Sequence, residues 1–93
     1  MDALSPIERK KLKARAHALN PIIHLGSKGL TEAVIAEIGR ALDAHELIKV
    51  RAGGMERDER EAALAEICAR LEAQPVQHIG KVLVVYRRKA EDS

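Results

Sequence analysis

A four-residue segment, Gly26-Ser27-Lys28-Gly29, has the composition of a phosphate-binding loop. It follows a short apolar run and precedes a helical pattern. Glycine lets the backbone approach a ligand closely, and the free N–H groups of a helix N-terminus attract anions. Lys28 would add a charge-assisted contact, whereas Glu32 argues against a tight, isolated phosphate site. The segment predicts either a simple turn or one phosphate contact among several.

The other reactive side chains give little support to catalysis. The three serines lie in no nucleophile-elbow pattern, and the four histidines and Cys68 have no zinc-like spacing. The loop matches neither the Walker A nor the Rossmann glycine pattern. A phosphate-handling enzyme that uses His24 and Ser27 is disfavoured, because no third orienting residue is visible. We therefore expect no enzyme, no metal, no cofactor and no small-molecule substrate.

The G-x-x-G pattern also occurs in KH domains, where it clamps an RNA backbone. In that fold the loop joins two helices, whereas here it follows an apolar run that predicts a strand. Tyr86 is the one aromatic residue, so RNA binding through stacked aromatic rings is poorly supported. If RNA is the ligand, we expect recognition through its backbone and shape.

Composition limits the possible classes of protein. The chain has 93 residues, of which 46% are hydrophobic, and this length suits one domain. One cysteine excludes an intrachain disulfide, and the N-terminus has no signal-peptide pattern, so we expect a cytoplasmic protein. No apolar run reaches the ~20 residues that span a bilayer.

Charge is divided along the chain. Residues 1–30 carry a net +4, residues 31–75 a net −4 and residues 76–93 a net +2, which together give the net +2 of the whole chain. Basic segments on both sides of an acidic middle are compatible with a basic patch that binds a polyanion. Charged residues that merely cover a small domain would give similar counts.

Three amphipathic patterns predict helices. The first begins at Ser5 with an S-x-x-E capping box that Glu8 completes, the second at Thr31 and the third at Asp58. The expected apolar stripe of the first helix comprises Leu4, Ile7, Leu12, Ala16 and Leu19. The expected charge pairs of the acidic third helix are Glu56 with Arg60, Arg57 with Glu61 and Glu66 with Arg70.

Short apolar runs predict four strands. The runs are Ile22–Leu25, the segment LIKVRA and two strands in PVQHIGKVLVVYRR, joined by a type II′ turn at Gly80-Lys81. The last strand is apolar on both faces, so we place it inside the sheet with the first helix or a neighbour covering one side. The predicted fold is a single compact α/β domain, order α-β-α-β-α-β-β, with helices packed on a mixed four-stranded sheet. It spans residues 1–93, with a core of about 5–88 and a frayed tail at 89–93.

Longer segments resemble a known family. The sequences LKARAHALNPIIHLGSKGLTEAVIAEI, ALDAHELIKVRA and VQHIGKVLVVYRR, in this order, resemble the CRM (chloroplast RNA splicing and ribosome maturation) domain of stand-alone bacterial YhbY-like proteins. The resemblance covers roughly residues 5–88. It implies a shape related to the C-terminal domain of bacterial initiation factor three. It also implies RNA binding and association with precursors of the large ribosomal subunit.

The resemblance also suggests which residues contact RNA. The loop contributes Gly26, Ser27, Lys28 and Gly29, and the basic surface draws on Lys10, Lys13, Lys49, Arg51, Arg87 and Arg88. The expected protein is a monomer without membrane contact, whose partner is ribosomal RNA of the large-subunit precursor. The acidic third helix is expected to face away from RNA. An alternative is a protein-interaction module that docks through this helix.

Overall fold

A mixed four-stranded sheet forms the centre of the structure, a computed structural model that describes residues 4–89. The elements, in chain order, are α1 (Pro6–Ala16), β1 (Ile23–His24), α2 (Glu32–His45), β2 (Leu47–Arg51), α3 (Arg57–Leu71), β3 (Gln74–Ile79) and β4 (Val82–Tyr86). The predicted α/β class and element order are confirmed. Of the predicted frayed tail, residues 90–93 lie outside the described residues.

The strands lie in the order β1-β2-β4-β3. β1 pairs with β2 in parallel, and β4 pairs antiparallel with both β2 and β3. β4 therefore lies inside the sheet, as its uninterrupted apolar sequence predicted. Gly80 has φ +53° while Lys81 does not enter the positive-φ region, which fits the predicted type II′ hairpin turn.

Apolar side chains fill both sides of the sheet. α2 and α3 cover one face, where Ile48 and Val50 of β2 and Leu83 of β4 are buried. α1 covers the other face and buries Leu47 and Val84. Alternate residues of β2 and β4 thus enter different cores, since successive side chains of a strand point to opposite faces. We call the second side the α1 face.

Helix starts follow their sequence signals in two of three cases. Ser5 and Glu8 form the reciprocal capping box of α1, and the Thr31 side chain accepts from the backbone N–H of Val34 at the start of α2. The prediction that Asp58 caps α3 is wrong. Glu56 is the N-cap, and its backbone N–H donates to Glu59 Oε1 at 2.8 Å. The N-cap therefore lies two residues before the expected aspartate, and Asp58 falls in the first turn of α3.

Two further expectations are corrected by tertiary packing. Ile7 is 69% exposed and Leu19 is 37% exposed, although both were expected in the buried apolar stripe of the first helix. Within α1 the buried residues are Leu12 and Ala16. Arg60 does not pair with Glu56. Its guanidinium donates instead to the Met55 carbonyl at 2.6 Å and contacts His78 Nε2 at 3.1 Å. The described helices include none that is long and apolar enough to cross a membrane.

Candidate nucleic-acid interface

The segment Gly26–Gly29 forms a tight turn between β1 and α2. The Gly29 N–H donates to the Gly26 carbonyl at 3.0 Å, and Ser27 and Lys28 lie exposed at the tip. Thr31, two residues later, caps α2. The turn therefore lies directly before the N-terminus of a 14-residue helix, where N–H groups without helical partners favour an anion.

The two glycines of this turn differ in what the fold requires of them. Gly29 has φ +68°, a conformation that side chains other than glycine adopt at a cost, and an added Cβ would lie 3.4 Å from Met55 Cε. Gly26 has no positive φ, and a Cβ there would meet no atom within 4 Å. The fold therefore explains glycine at Gly29 and leaves glycine at Gly26 unexplained.

Glu32, in the first turn of α2, is neutralised by a cross-helix ion pair. Arg70 Nη2 of α3 donates to both carboxylate oxygens of Glu32, at 2.6 and 2.9 Å. This hydrogen bonding lowers the pKa of Glu32 and raises that of Arg70. The carboxylate that argued against an anion at this helix end is thus already bound to a cation.

A row of side chains crosses the α1 face beside the turn. Strand registers place His24 next to Arg51, Arg51 next to Val82, and Val82 next to Ile79. His24, Arg51 and Ile79 are exposed and Val82 is half-buried, because α1 covers the opposite end of this face. One end of the α1 face is therefore open to a ligand next to the glycine turn.

The same end of the sheet carries a further cation. The Ala52 N–H, directly after β2, donates to the Lys81 carbonyl of the β3–β4 turn at 2.7 Å, and the Leu25 N–H donates to the Arg51 carbonyl at 2.8 Å. These bonds bring the exposed Lys81 to the edge that also holds Arg51 and the turn. Sequence reasoning considered His24 only as a catalytic residue with Ser27 and did not single out Lys81, because strand pairing places both beside Arg51.

Helix α1 adds basic side chains to the same face of the sheet. Lys10 is exposed and Lys13 half-exposed, and with Arg9 they line a shallow hollow of about 400 Å³. The Lys49 ammonium, on β2, donates to the Leu19 carbonyl at 3.0 Å. Lys49 thus has a structural bond besides the contact with RNA that was predicted for it.

The two arginines after β4 point to opposite faces. Arg87, whose side chain is 20% exposed, donates to the carbonyls of Leu71 at 2.9 Å and Gly39 at 3.1 Å and to Asp43 Oδ1 at 2.6 Å. It joins α2 to α3 behind the sheet, so we leave it out of the proposed interface. Arg88, 70% exposed, lies 3.8 Å from Glu8 of α1 and stays on the α1 face.

We expect Arg87→Ala to lower the free energy of unfolding by about 2 kcal/mol, because two carbonyls and a carboxylate lose a charged donor. Urea denaturation at neutral pH measures this loss as a lower midpoint. Arg88→Ala is the matched control and should lower the midpoint much less, since its ion pair with Glu8 is exposed. Equal losses in the two variants would contradict the structural role of Arg87.

The remaining reactive groups are Cys68 and the residue types that could bind a metal ion. Cys68 is half-buried in α3, and this burial raises the pKa of its thiol to about 11, so the nucleophilic thiolate is scarce at neutral pH. Within residues 4–89 no three His, Cys, Asp or Glu side chains are grouped so that they could hold a metal ion.

Comparison with known proteins assigns the family. The model of the CRS1/YhbY (CRM) domain matches residues 4–87. This chain belongs to the CRM domain family. The family resemblance inferred from the sequence is thereby confirmed.

Relatives of this CRM domain include proteins of similar length. A Pseudomonas aeruginosa protein, named a probable RNA-binding protein, is 46% identical over 86 residues, which cover 92% of this chain and 83% of the relative. A Haemophilus influenzae protein, named an RNA-binding protein, is 45% identical over 91 residues, 98% of this chain and 92% of the relative.

A solved structure has the same fold as this CRM domain. The solution structure of a Staphylococcus aureus protein, for which RNA binding has been suggested, superposes with a TM-score of 0.83 at 29% identity. The match covers 97% of this chain and 94% of that protein. The mixed sheet and its three helices are therefore features that the two proteins share.

Proposed function

We propose that this CRM domain is a non-catalytic RNA-binding protein that associates with precursors of the large ribosomal subunit in the cytoplasm. The turn Gly26–Gly29 and the open end of the α1 face contact the RNA backbone. The observation that carries this proposal is Gly26, an exposed glycine at the start of the turn that precedes α2, for which the fold has no requirement. A ligand backbone that must approach closely supplies the missing reason.

Charge supports a polyanion as this ligand. Lys28 at the tip of the turn, Arg51 on β2 and Lys81 in the hairpin turn are exposed at the same end of the sheet, and α1 adds Lys10 and Lys13 on the α1 face. Several separate cations suit the spaced phosphates of a nucleic acid better than one small anion. The names of the bacterial relatives support RNA in particular.

The association with the large-subunit precursor rests on the family resemblance of the sequence segments described above. An account without catalysis agrees with the protonated Cys68 thiol and with the distribution of the four histidines, one each in β1, α2 and β3 and one directly after α1. Among residues 4–89 the α3 carboxylates are largely engaged locally, Glu59 in the helix cap, Glu61 with Arg57 and Glu66 with Arg70. No observation on α3 therefore favours the protein-docking alternative.

The proposal is tested by sedimentation of ribosomal particles from a bacterium in which a tagged copy replaces the cell's own family member. We expect the wild-type chain to sediment with immature large subunits and to crosslink to their RNA, and Lys28→Glu to reduce both signals. The control is Glu61→Lys/Glu66→Lys, which should weaken neither signal, since added positive charge favours RNA through the field of the whole protein. Absence of ribosomal RNA from the wild-type crosslinks would refute the proposed function. Loss of the particles in the α3 variant alone would favour protein docking.

A further inference from the structure

A second concave surface lies at the other end of β1, away from the glycine turn. It has a volume of about 430 Å³ and is bounded by the C-terminal end of α1, the connection to β1, the last residue of α2 and the start of β2. The residues that matter here are Arg15, Leu19, Asn20, Ile22, His45 and Leu47. We call this surface the α1–β1 pocket.

The α1–β1 pocket has an apolar interior and a polar rim. Buried Leu47 forms part of its base, and Leu19 and Ile22 expose 37% and 48% of their surfaces beside it. Arg15 and His45 are exposed at the rim. Apolar walls with a few polar groups are typical of sites for small planar ligands.

The rim side chains are not engaged elsewhere in the described part of the chain. The side chains of Arg15 and His45 have no hydrogen-bond or ion-pair partner among residues 4–89. The two carboxylates nearest His45 in sequence are already used, since Asp43 accepts from Arg87 and Glu46 Oε2 accepts from the backbone N–H of Lys89 at 2.8 Å. A ligand therefore binds the Arg15 guanidinium and the His45 imidazole without displacing an acidic side chain of the described residues.

The wall of the pocket is held in place before any ligand binds. The Lys49 ammonium donates to the Leu19 carbonyl, and the Ile22 N–H donates to the Lys49 carbonyl at 3.1 Å. Pro21 fixes one backbone angle between these two anchors. A preformed wall lowers the entropy cost of binding.

We infer that the α1–β1 pocket takes one unstacked nucleobase of the bound RNA. Guanidinium and imidazole planes both stack on bases, and RNA-binding proteins read bases that are splayed out of a helix in this way. The Asn20 amide offers a donor and an acceptor to a base edge. This inference rests on the proposed function and adds to it a site that selects RNA with an unpaired base.

The geometry allows one RNA to reach both sites. The Ile22 and Leu25 N–H groups both bond to β2, so the chain is extended between the pocket and the turn. At about 3.3 Å per residue, Ile22 and Gly26 lie about 13 Å apart, a span of a few nucleotides. A phosphate a few nucleotides along the RNA chain from a base in the pocket thus lies at the glycine turn.

The test measures the affinity of the whole chain for three RNA probes by fluorescence anisotropy. The probes are a flush duplex, the same duplex with one unpaired adenosine, and a copy in which that adenosine is abasic. We expect the unpaired adenosine to tighten binding at least about fivefold, the low end of the effect of one stacked base, and the abasic copy to bind like the flush duplex.

The variant Arg15→Lys/His45→Ala removes both stacking planes and keeps the formal charge. It should lose the preference for the unpaired adenosine while its affinity for the flush duplex stays unchanged. Arg40→Lys/His17→Ala makes the same substitutions at exposed residues outside the pocket and should keep the preference.

Three outcomes would overturn the pocket assignment. The wild type could bind all three probes equally, the Arg15→Lys/His45→Ala variant could keep the preference, or an acidic, apolar peptide could bind the pocket in place of the unpaired base. Failure of the proposed function looks different, because the wild type would then bind every probe weakly and without dependence on salt. Strong, salt-dependent binding without preference for the unpaired base would refute the pocket alone.

Discussion

The double variant Lys28→Glu/Arg51→Glu is expected to bind structured ribosomal RNA about 100-fold more weakly than the wild type. Each charge reversal replaces an attractive phosphate contact by repulsion and should lower the affinity about tenfold. Both side chains are exposed, one at the tip of the glycine turn and one at the end of β2. Each neutralised phosphate adds about 0.7–0.9 to the slope of log K against log salt, so the slope should become shallower by roughly 1.4–1.8. Anisotropy titrations at several KCl concentrations measure both quantities.

A control must have the same net charge, because charge reversal anywhere weakens RNA binding through the field of the whole protein. Arg40→Glu/Arg57→Glu fulfils this condition on α2 and α3, which cover the face of the sheet opposite α1. Arg57 contributes only an exposed ion pair with Glu61, so the fold should survive. If the control weakens binding and flattens the salt dependence as much as the double variant, the cations beside the turn are not the interface.

Local signals in the sequence were sufficient for most of the fold. The capping box of Ser5 and Glu8 and the cap at Thr31 depend on residues three apart in the chain, and both are present. The position of β4 inside the sheet follows from its apolar residues on both faces, because each face needs a cover. In each case the signal that predicts the structure lies within one segment.

Contacts between segments determine the side-chain partners that the sequence did not predict. Arg60 does not form the expected ion pair with Glu56. It donates instead to the Met55 carbonyl and contacts His78, a residue 18 positions away on β3. Arg87 and Arg88 look equivalent in sequence, yet strand alternation sends Arg87 to α2 and α3 and Arg88 to α1. No rule of local propensity distinguishes such neighbours, since the difference arises from the partners on other elements.

The candidate site was predictable only in its central part. The glycine turn could be located because its residue types and its place before a helix are visible in sequence. The row that joins His24 to Arg51 depends on strand register, and the contact of Lys81 with the end of β2 depends on the hairpin lying beside that strand. The ion pair of Glu32 with Arg70 joins residues 38 positions apart, and it offsets the repulsion of an anion that was expected from this carboxylate.

The variant Gly26→Phe is expected to lower RNA affinity at least about tenfold, the effect of losing one close contact, without loss of stability. In the free protein a Cβ at Gly26 meets no atom within 4 Å, so the new side chain occupies the space proposed for the RNA backbone. Gly29 is an unsuitable probe, since its φ of +68° would cost a side chain about 1–2 kcal/mol in the folded state.

Anisotropy titration and urea denaturation of the same Gly26→Phe preparation separate loss of binding from loss of fold. Ala65→Phe, at an exposed position of α3, adds the same ring outside the proposed interface and should leave affinity unchanged. Unchanged RNA affinity in a folded Gly26→Phe variant would show that the turn does not contact RNA. Glycine at this position would then need another explanation, because the folded chain itself offers enough room for a side chain there.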